Sequence, residues 1–188
     1  APKPTIAPTV QSAPAAPSTV AQASVCSKGG ACKVGDIGPG GGIVFYAATT
    51  PQPWGQYYEV STNLDPRFDT MWCNTPVKFV NIDPTVADRA RTIAETLAQA
   101  CTKGALRIAA DFVSNTGRDD WYLPSLEQAR AIDDNRQVLK IEGQWFYTSD
   151  IGGVNGKLGP IALSMLNGNR SVTNPLAGFG VRAVRSFG

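Results

Sequence analysis

The stretch GDIGPGGGIVFY, at positions 35–46, decides how the globular part of this chain begins. Its first eight residues are mostly glycine, which adopts positive φ angles without steric cost, and they predict a turn. The β-branched and aromatic residues at 43–46 then predict a strand. A phosphate-binding loop needs a helix after the glycines and usually a Lys-Ser/Thr pair. Because a strand follows instead, we expect these glycines to bend the backbone and not to hold a phosphate.

Beyond this stretch, the sequence predicts strands early and late in the chain, with helices between them. Further strands are predicted at 57–61, 145–149, 160–166 and 181–187. In the last of these, apolar residues alternate with Arg or Ser. We therefore expect Arg182 and Arg185 to point outward from a half-exposed strand. Strands and helices in this arrangement predict an α+β domain.

The clearest helix is predicted in the middle of the chain. Asp83 can cap its first turn, Pro84 suits the first helical position, and Gly104 is a natural stop. Its apolar stripe consists of Val86, Ala90, Ile93, Ala94, Leu97 and Cys101. Residues 105–112 predict additional helix.

A second helix is predicted after a capping box, in which Ser125 is the N-cap and Gln128 lies three residues on. Two carboxylate pairs, at 119–120 and 133–134, are near this helix. Sequence neighbours rarely face each other across a cleft, as the carboxylates of glycoside hydrolases do. We therefore expect both pairs to be solvated surface.

Residues 1–24 differ in composition from the rest, because Pro, Ala, Ser and Thr dominate and Lys3 is the single charged side chain. The prolines prevent a helix and favour extended polyproline-II geometry. We expect residues 1–24 to be an extended tail or linker and residues 25–188 to be one domain. Such a tail is either a disordered stalk or lies on another surface, for example a neighbouring subunit. The residues expected to make that assembly contact are Pro2, Pro4, Ile6, Pro8 and Val10.

Four cysteines allow three disulfide pairings. We favour Cys26–Cys32, which closes a glycine-rich turn, together with Cys73–Cys101. The chain-entropy model gives the larger ring roughly 3.6 kcal/mol of stabilisation and the smaller ring roughly 2.4 kcal/mol. The alternative is four reduced thiols in a cytosolic protein. A chain that begins at Ala1 without a leader is typical of a protein whose signal peptide has been removed, so we expect an extracellular or cell-surface location.

Composition excludes several function classes. The chain has no histidine, which removes Ser-His-Asp and Cys-His catalysis and imidazole metal sites. Its formal net charge of +2 leaves no broad basic surface for a nucleic-acid backbone. No run of about 18 apolar residues occurs, so we expect no membrane-spanning segment. We expect a protein that is not an enzyme and that uses no cofactor or metal.

Four motifs, in their order along the chain, resemble one known family. They are residues 35–46, Asp120-Trp121-x-Leu123-Pro124-Ser125, Tyr147-Thr148-Ser149 and Val181-Arg182-x-Val184-Arg185-x-Phe187. The chain is similar in these motifs to the C-terminal domain of the collagen-like adhesin (Lcl-type) family. That resemblance implies a C-type-lectin-like fold, with two helices packed on a twisted, mainly antiparallel sheet and long loops. Family members are typically secreted or surface-exposed, often at the end of a low-complexity stalk, and several are adhesins or fibre tips.

The same resemblance guides the expected roles of single residues. Trp121 and Leu123 should anchor the loop before the second helix in the core, and the last strand should pair near the first. Calcium-dependent lectins carry Glu-Pro-Asn or Gln-Pro-Asp and Trp-Asn-Asp triplets, and none of these occurs here. The resemblance therefore implies no calcium site.

In lectin-like folds the loops between the late strands form the ligand face. Two turn-rich segments, 150–157 and 167–174, occupy that part of this chain. The candidate ligand-binding residues are Asp150, Asn155, Lys157, Asn167, Asn169, Arg170 and Asn174. The alternative for both segments is plain hairpin turns built on Asn-Gly.

Together these features predict a secreted, non-catalytic surface binding or adhesion domain on an extended stalk, alone or within an extracellular appendage. Its partner would be a cell-surface or matrix glycan or protein. The alternative is a structural subunit of an extracellular fibre, sheath or other assembly. In that case the tail docks on a neighbouring subunit, and the partner is another copy of the chain or a different subunit.

Overall fold

The computed structural model describes residues 25–62, 69–75, 83, 85–141 and 143–188. The strands within these ranges are β1 (Ile43–Gln52), β2 (Gly55–Val60), β3 (Trp145–Val154), β4 (Lys157–Ser164), β5 (Arg170–Val172) and β6 (Val184–Phe187). The helices are α1 (Arg89–Gln99), α2 (Ala105–Ala110), α3 (Leu126–Asp134) and α4 (Arg136–Leu139), preceded by a 3-10 helix at Cys26–Lys28. The α+β class predicted from the sequence is confirmed.

The strands form two antiparallel sheets of three strands each, in the orders β1-β2-β6 and β3-β4-β5. The family resemblance implies a single sheet with two helices. Within its described part, the chain instead divides the strands between two sheets and has four α-helices, of which α2 and α4 are short.

The end of the chain joins the two sheets. Gly180 lies beside β3, where its carbonyl accepts from Tyr147 N at 3.1 Å and its N–H donates to Trp145 O at 2.9 Å. Val184 then exchanges two backbone hydrogen bonds of 2.9 Å with Tyr122. From there β6 runs antiparallel to β2. The last strand therefore belongs to the sheet of the first strand, with β2 between them.

The prediction that the arginines of the last strand point outward is wrong. Arg182 and Arg185 are 8% and 5% exposed. Arg182 donates from Nη1 to the carbonyl of Ser61 at 2.8 Å, and its guanidinium carbon lies 5.8 Å from the centre of the Phe146 ring. Burial lowers the pKa of Arg182 to about 10. Arg182 precedes β6, and Arg185 lies on it three positions later, so the two arginines do not share one strand face. Each guanidinium donates to acceptors inside the protein.

Helix α1 begins later than predicted. Its N-cap is Asp88, whose carboxylate accepts from Arg91 N at 3.1 Å. Asp83 instead accepts from Thr85 N at 2.9 Å in a turn before the helix. The predicted stop is also wrong, because α1 ends at Gln99 and Gly104 is the N-cap of α2. Pro84 lies outside the described residues.

Helix α3 begins as predicted. Ser125 Oγ accepts from Gln128 N at 3.2 Å, and Gln128 Oε1 accepts from Ser125 N at 2.9 Å. This reciprocal pair satisfies two N–H groups that the helix itself cannot bond. The helix predicted at 105–112 is present as α2.

Both favoured disulfides are present, Cys26–Cys32 and Cys73–Cys101. Cys101 follows α1 and ties this helix into one of the two apolar core clusters. Trp121 and Leu123 belong to the same cluster and are buried, as the family resemblance implies.

The predicted assembly residues Pro2, Pro4, Ile6, Pro8 and Val10 lie outside the described residues, as does the rest of 1–24. The prediction of a stalk or a docked tail therefore stays a prediction. Among the helices of the described ranges, none has the length and apolar character needed to cross a bilayer.

Candidate functional site

An open cleft lined by aromatic rings lies between the first sheet and helix α3. Its volume is about 290 Å³, close to the lower limit for small-molecule sites. The sheet side is lined by Phe45, Tyr46, Trp54 and Tyr58. The helix side is lined by Ala90, Ser125, Glu127, Gln128 and Ala131. We call this surface the aromatic cleft.

A β-bulge in β1 brings two of the rings to the same face. Val44 pairs with Glu59 and Tyr46 pairs with Tyr58. Glu59 and Tyr58 are consecutive, so Phe45 is one extra residue on β1 between these two pairs. Successive residues of a strand normally point to opposite faces, and a bulge re-aims them. The rings of Phe45 and Tyr46 consequently both contact the ring of Tyr58. Phe45 is fully buried, whereas Tyr46 is 43% exposed.

Trp54 comes from the tight turn between β1 and β2 and folds back over the sheet. Its ring stacks on Tyr58, with centroids 4.1 Å apart and planes inclined by 15°. Phe45 stacks on Tyr58 at 5.8 Å, and Tyr46 is tilted against both Trp54 and Tyr58 at 6.1 Å. Each such pair contributes about 0.5–1.5 kcal/mol beyond the burial of its area. The four rings therefore support one another as a wall of defined shape.

The first turn of α3 forms the polar side of the aromatic cleft. The Gln128 side chain is held at both ends, because Oε1 accepts from Ser125 N and Nε2 donates to the Tyr122 hydroxyl at 2.9 Å. Glu127 is exposed and lines the cleft beside this fixed turn. Among the described residues, none forms a hydrogen bond or an ion pair with the Glu127 carboxylate. This carboxylate is thus available to a ligand.

The charged group that lines the aromatic cleft is acidic. Of the described residues that line it, Glu127 alone carries a charge. Burial, and then the nearby carboxylate of Asp88, raise the pKa of Tyr58 above its usual value, so its phenol stays neutral at physiological pH. The faces of aromatic rings add partial negative charge. A ligand that enters the cleft therefore meets one carboxylate and aromatic faces, and no basic side chain of the described lining.

A second polar cluster lies inside the protein and holds the glycine-rich turn. Glu59 is fully buried, and its two carboxylate oxygens accept from Gly40 N and Gly42 N at 2.9 Å each. Arg185 Nη1 donates to Glu59 at 2.6 Å. Arg185 Nε and Nη2 donate to the two carboxylate oxygens of Asp120 at 2.7 and 3.0 Å. We call these five residues the Glu59 cluster.

The hydrogen bonds of the Glu59 cluster show that its role is structural. Burial alone lowers the pKa of Arg185, but the hydrogen bonds to Asp120 and Glu59 more than offset it, and the pKa is raised. Every charge in the cluster has a partner within hydrogen-bond distance. Nothing in this arrangement is free to act on a ligand, so the cluster stabilises the fold.

The Glu59 cluster also explains why residues of three separate sequence motifs occur together in this protein. Gly40 and Gly42 come from the first motif, Asp120 from the second and Arg185 from the last. A Cβ at Gly40 would lie 2.5 Å from Glu59 Oε1, so the turn closes directly on the carboxylate. The predicted bending role of these glycines is confirmed, with Gly41 at a φ of 77°.

The expectation that both carboxylate pairs are solvated surface is wrong for one member of each pair. Asp120 is partly buried and bound to Arg185. Asp133 is 8% exposed and accepts from Arg136 at 3.0 Å. Asp119 and Asp134 are exposed, as expected. In both pairs an arginine stabilises one carboxylate. Arg136 is three residues from Asp133 and is visible in the local sequence, whereas Arg185 is 65 residues from Asp120 and is not.

The predicted ligand-binding residues of the first loop segment have several structural roles. Asn155 and Gly156 form the tight turn between β3 and β4, with φ angles of 51° and 74°, which is the Asn-Gly hairpin turn of the alternative prediction. Lys157 is exposed at the start of β4. Asp150 lies on β3, and its carboxylate accepts from Leu126 N at the start of α3.

Asn167, Asn169 and Arg170 of the second loop segment lie at the other end of β4, whereas Asn174, after β5, lies back towards the β3–β4 turn. Asn167 Oδ1 accepts from Asn169 N at 3.1 Å, and Arg170 is exposed at the start of β5. Because β4 has eight residues, this turn is roughly 23 Å from the β3–β4 turn. Asn174 follows β5 and accepts from Leu176 N at 2.9 Å. The seven residues therefore do not form one surface, and their role in binding stays a prediction.

Three residues of the aromatic cleft, Trp54, Glu127 and Ala131, are absent from the sequence-based predictions. Tyr46 and Tyr58 appear there only as strand residues. A signal does exist in the sequence, because five aromatic residues lie between positions 45 and 58. One of them, Trp54, lies in a Pro-Trp-Gly turn. A large apolar side chain in a turn is exposed to solvent unless it packs against other residues.

The chain matches no protein-family model, and no curated protein matches it either. Among the residues that the structure describes, no three His, Cys, Asp or Glu side chains are grouped closely enough to hold a metal ion.

Proposed function

We propose that this chain is a secreted, non-catalytic surface binding domain, an adhesion head that holds its ligand in the aromatic cleft. The observation that carries this proposal is the wall of four rings beside an available carboxylate. Aromatic side chains offer a large contact area at a low cost in conformational entropy, and they are enriched at binding surfaces. Tyr46 and Trp54 are presented in this way at the edge of the first sheet.

The proposed location outside the cytoplasm is supported by the two disulfides, Cys26–Cys32 and Cys73–Cys101. Disulfides form and persist in oxidising compartments and are rare in the cytosol.

The proposed C-type-lectin-like fold is supported by the way the motifs of the resemblance meet. The first, second and last motifs meet at the Glu59 cluster. The third motif contacts the second, because Ser149 N donates to the carbonyl of Pro124 at 2.8 Å. Four motifs that are distant in sequence thus form one connected unit, as expected of residues that specify a common fold.

The proposed absence of catalysis is supported by the charges of the cleft. General acid–base chemistry usually pairs titratable groups whose environments drive their pKa values apart. Glycoside hydrolysis, for example, uses two carboxyl groups on either side of the substrate. The described lining of the aromatic cleft offers one carboxylate, that of Glu127.

An array experiment tests the proposed function. The full chain, displayed as a tetramer so that avidity strengthens weak contacts, is applied to immobilised glycans and matrix proteins. We expect at least one class to retain it, and Trp54→Ala to abolish retention. Leu176→Ala, which removes an exposed apolar side chain outside the cleft, should leave retention unchanged. An empty array, or retention that survives Trp54→Ala, contradicts the proposal.

A further inference from the structure

We infer that the aromatic cleft recognises an alkylammonium cation, in particular a trimethylammonium group, an inference that rests on the proposed binding function of this cleft. Three features of the described residues carry it: the sign of the charge, the aromatic wall, and the fact that the side chains of Ser125 and Gln128 are already hydrogen-bonded. The cation would lie between the rings of Tyr46 and Trp54 on one side and the Glu127 carboxylate on the other.

The charge of the cleft selects for a cation. The described lining contains Glu127 and no basic residue. A second carboxylate, on Asp88, is close enough to Tyr58 to raise the pKa of its phenol. The basic side chain of Arg91, one position beyond Ala90, is engaged with Glu95 at 2.7 Å. Anionic ligands are therefore repelled, and a positive group is attracted.

The aromatic wall selects for a cation that sheds its water easily. A positive group within about 6 Å of an aromatic centroid is attracted by the ring quadrupole, most strongly by Trp. Trp54 and Tyr46 both line the cleft with centroids 6.1 Å apart, so one cation can contact both rings. A quaternary ammonium has a diffuse charge and weak hydration, and it is the ligand that such aromatic surfaces favour.

On the helix side of the cleft, the side chains of Ser125 and Gln128 are already hydrogen-bonded, which disfavours a ligand that needs several partners there. A primary ammonium has three donors to satisfy. The side-chain oxygens of Ser125 and Gln128 already accept from each other's backbone N–H groups, and Gln128 Nε2 donates to Tyr122. A trimethylammonium group needs no acceptor, and its methyl groups can pack on Ala90 and Ala131. The volume of about 290 Å³ leaves room for such a group.

A pair of ligands of equal shape tests the inference. Choline and its uncharged isostere 3,3-dimethyl-1-butanol are titrated into the full chain, and ligand-detected NMR and calorimetry follow binding. We expect choline to bind saturably and at least about tenfold more tightly than the isostere, since the two differ in the cation alone. Equal affinity for both ligands, or no saturable binding of choline, overturns the inference.

Matched variants locate the binding in the cleft. Trp54→Ala should weaken choline binding at least about tenfold, and Trp54→Phe, which keeps a ring in the turn, should weaken it less. Glu127→Gln should weaken it about threefold to tenfold, because it removes the charge and keeps the shape. Asp119→Asn makes the same charge change at an exposed site outside the cleft. It should change the affinity for choline by less than about twofold. Equal effects of Glu127→Gln and Asp119→Asn overturn the inference.

Vesicles distinguish the sources of the cation. Retention on phosphatidylcholine vesicles and not on phosphatidylglycerol vesicles supports the inference and identifies a lipid headgroup. Choline binding without vesicle retention also supports it and indicates a soluble or protein-borne cation. If choline does not bind while Trp54-dependent retention on the arrays persists, the cation inference fails and the binding function stands. If neither choline binding nor Trp54-dependent retention on the arrays is observed, the proposed binding function fails as well.

Discussion

Arg185 and Glu59, which are 126 residues apart in the chain, form a buried ion pair with 2.6 Å between Nη1 and Oε1. Glu59 lies next to Tyr58 on β2, and neighbouring residues of a strand point to opposite faces. One face of β2 therefore holds the Glu59 cluster, and the other carries a ring of the aromatic cleft. The ion pair that fixes the last strand thus also positions the wall of the candidate site.

Removing Arg185 should strongly destabilise the protein. Arg185→Leu leaves the Glu59 carboxylate buried without its cation, and breaking a buried pair in this way costs about 3–5 kcal/mol. Urea unfolding measures the change in the free energy of unfolding. Arg170→Leu, at an exposed position on β5, is the matched control and should change it by less than about 0.5 kcal/mol. A loss below about 1 kcal/mol for Arg185→Leu contradicts this account of the pair.

A methyl group at Gly42 should also destabilise the protein. A Cβ there would lie 2.6 Å from the carbonyl oxygen of Val60 and 2.9 Å from the Trp121 ring. Overpacking of this kind costs about 1–3 kcal/mol. At Gly153 the nearest atom would be a side-chain carbon at 3.4 Å, so Gly153→Ala should cost less than about 1 kcal/mol. If Gly42→Ala and Gly153→Ala have equal free energies of unfolding, the close approach at Gly42 is contradicted.

The features that the sequence predicts well depend on residues close together in the chain. The capping box of Ser125 and Gln128 spans one helical turn, and the Asn155–Gly156 turn is set by two residues that adopt positive φ. The Cys26–Cys32 disulfide closes a short loop. In each case the energy that decides the structure comes from neighbours, so a local pattern is sufficient.

The features that the sequence does not reveal depend on distant partners. The sequence pattern predicts Arg182 and Arg185 on an exposed strand face, and the carboxylates of Glu59 and Asp120, far away in the chain, make burial of Arg185 favourable. The bulge at Phe45 has no local signature, because it follows from how β1 pairs with β2. Without the bulge Tyr46 would point away from Tyr58, and for this reason the aromatic cleft is not predicted.

Because of the Tyr147 hydroxyl, the free energy of unfolding should decrease as the pH becomes alkaline. This hydroxyl donates to the carbonyl of Ala177, and burial raises its pKa to about 12. The phenol of the unfolded chain titrates near pH 10. Its stabilising contribution is therefore complete below about pH 10 and is lost as the pH rises towards about 12.

Tyr147→Phe tests this dependence. We expect a shallower fall in the free energy of unfolding between about pH 9 and about pH 11.5 than in the unchanged protein, measured by urea unfolding. Arg182, whose pKa is lowered to about 10, titrates in the same range in both proteins and cancels in the comparison. Identical slopes for the two proteins contradict the assigned burial of the phenol.

Deleting residues 1–24 separates an adhesion head from a structural subunit. If the chain is an adhesion head, the truncated protein should keep both its oligomeric state and its retention on the arrays, because the aromatic cleft lies entirely within residues 45–131. Light scattering and the array experiment measure the two properties. Loss of a polymer or oligomer on truncation supports the structural alternative, in which the tail docks on a neighbouring subunit.

The most direct measurement of where this protein binds is a chemical-shift map of the isotopically labelled full chain, titrated with the glycan or protein that the arrays retain. The account predicts that the perturbed resonances belong to Tyr46, Trp54, Tyr58 and the first turn of α3, around Glu127. Perturbations confined to the turns at 150–157 or 167–174, with the aromatic resonances unchanged, would contradict it.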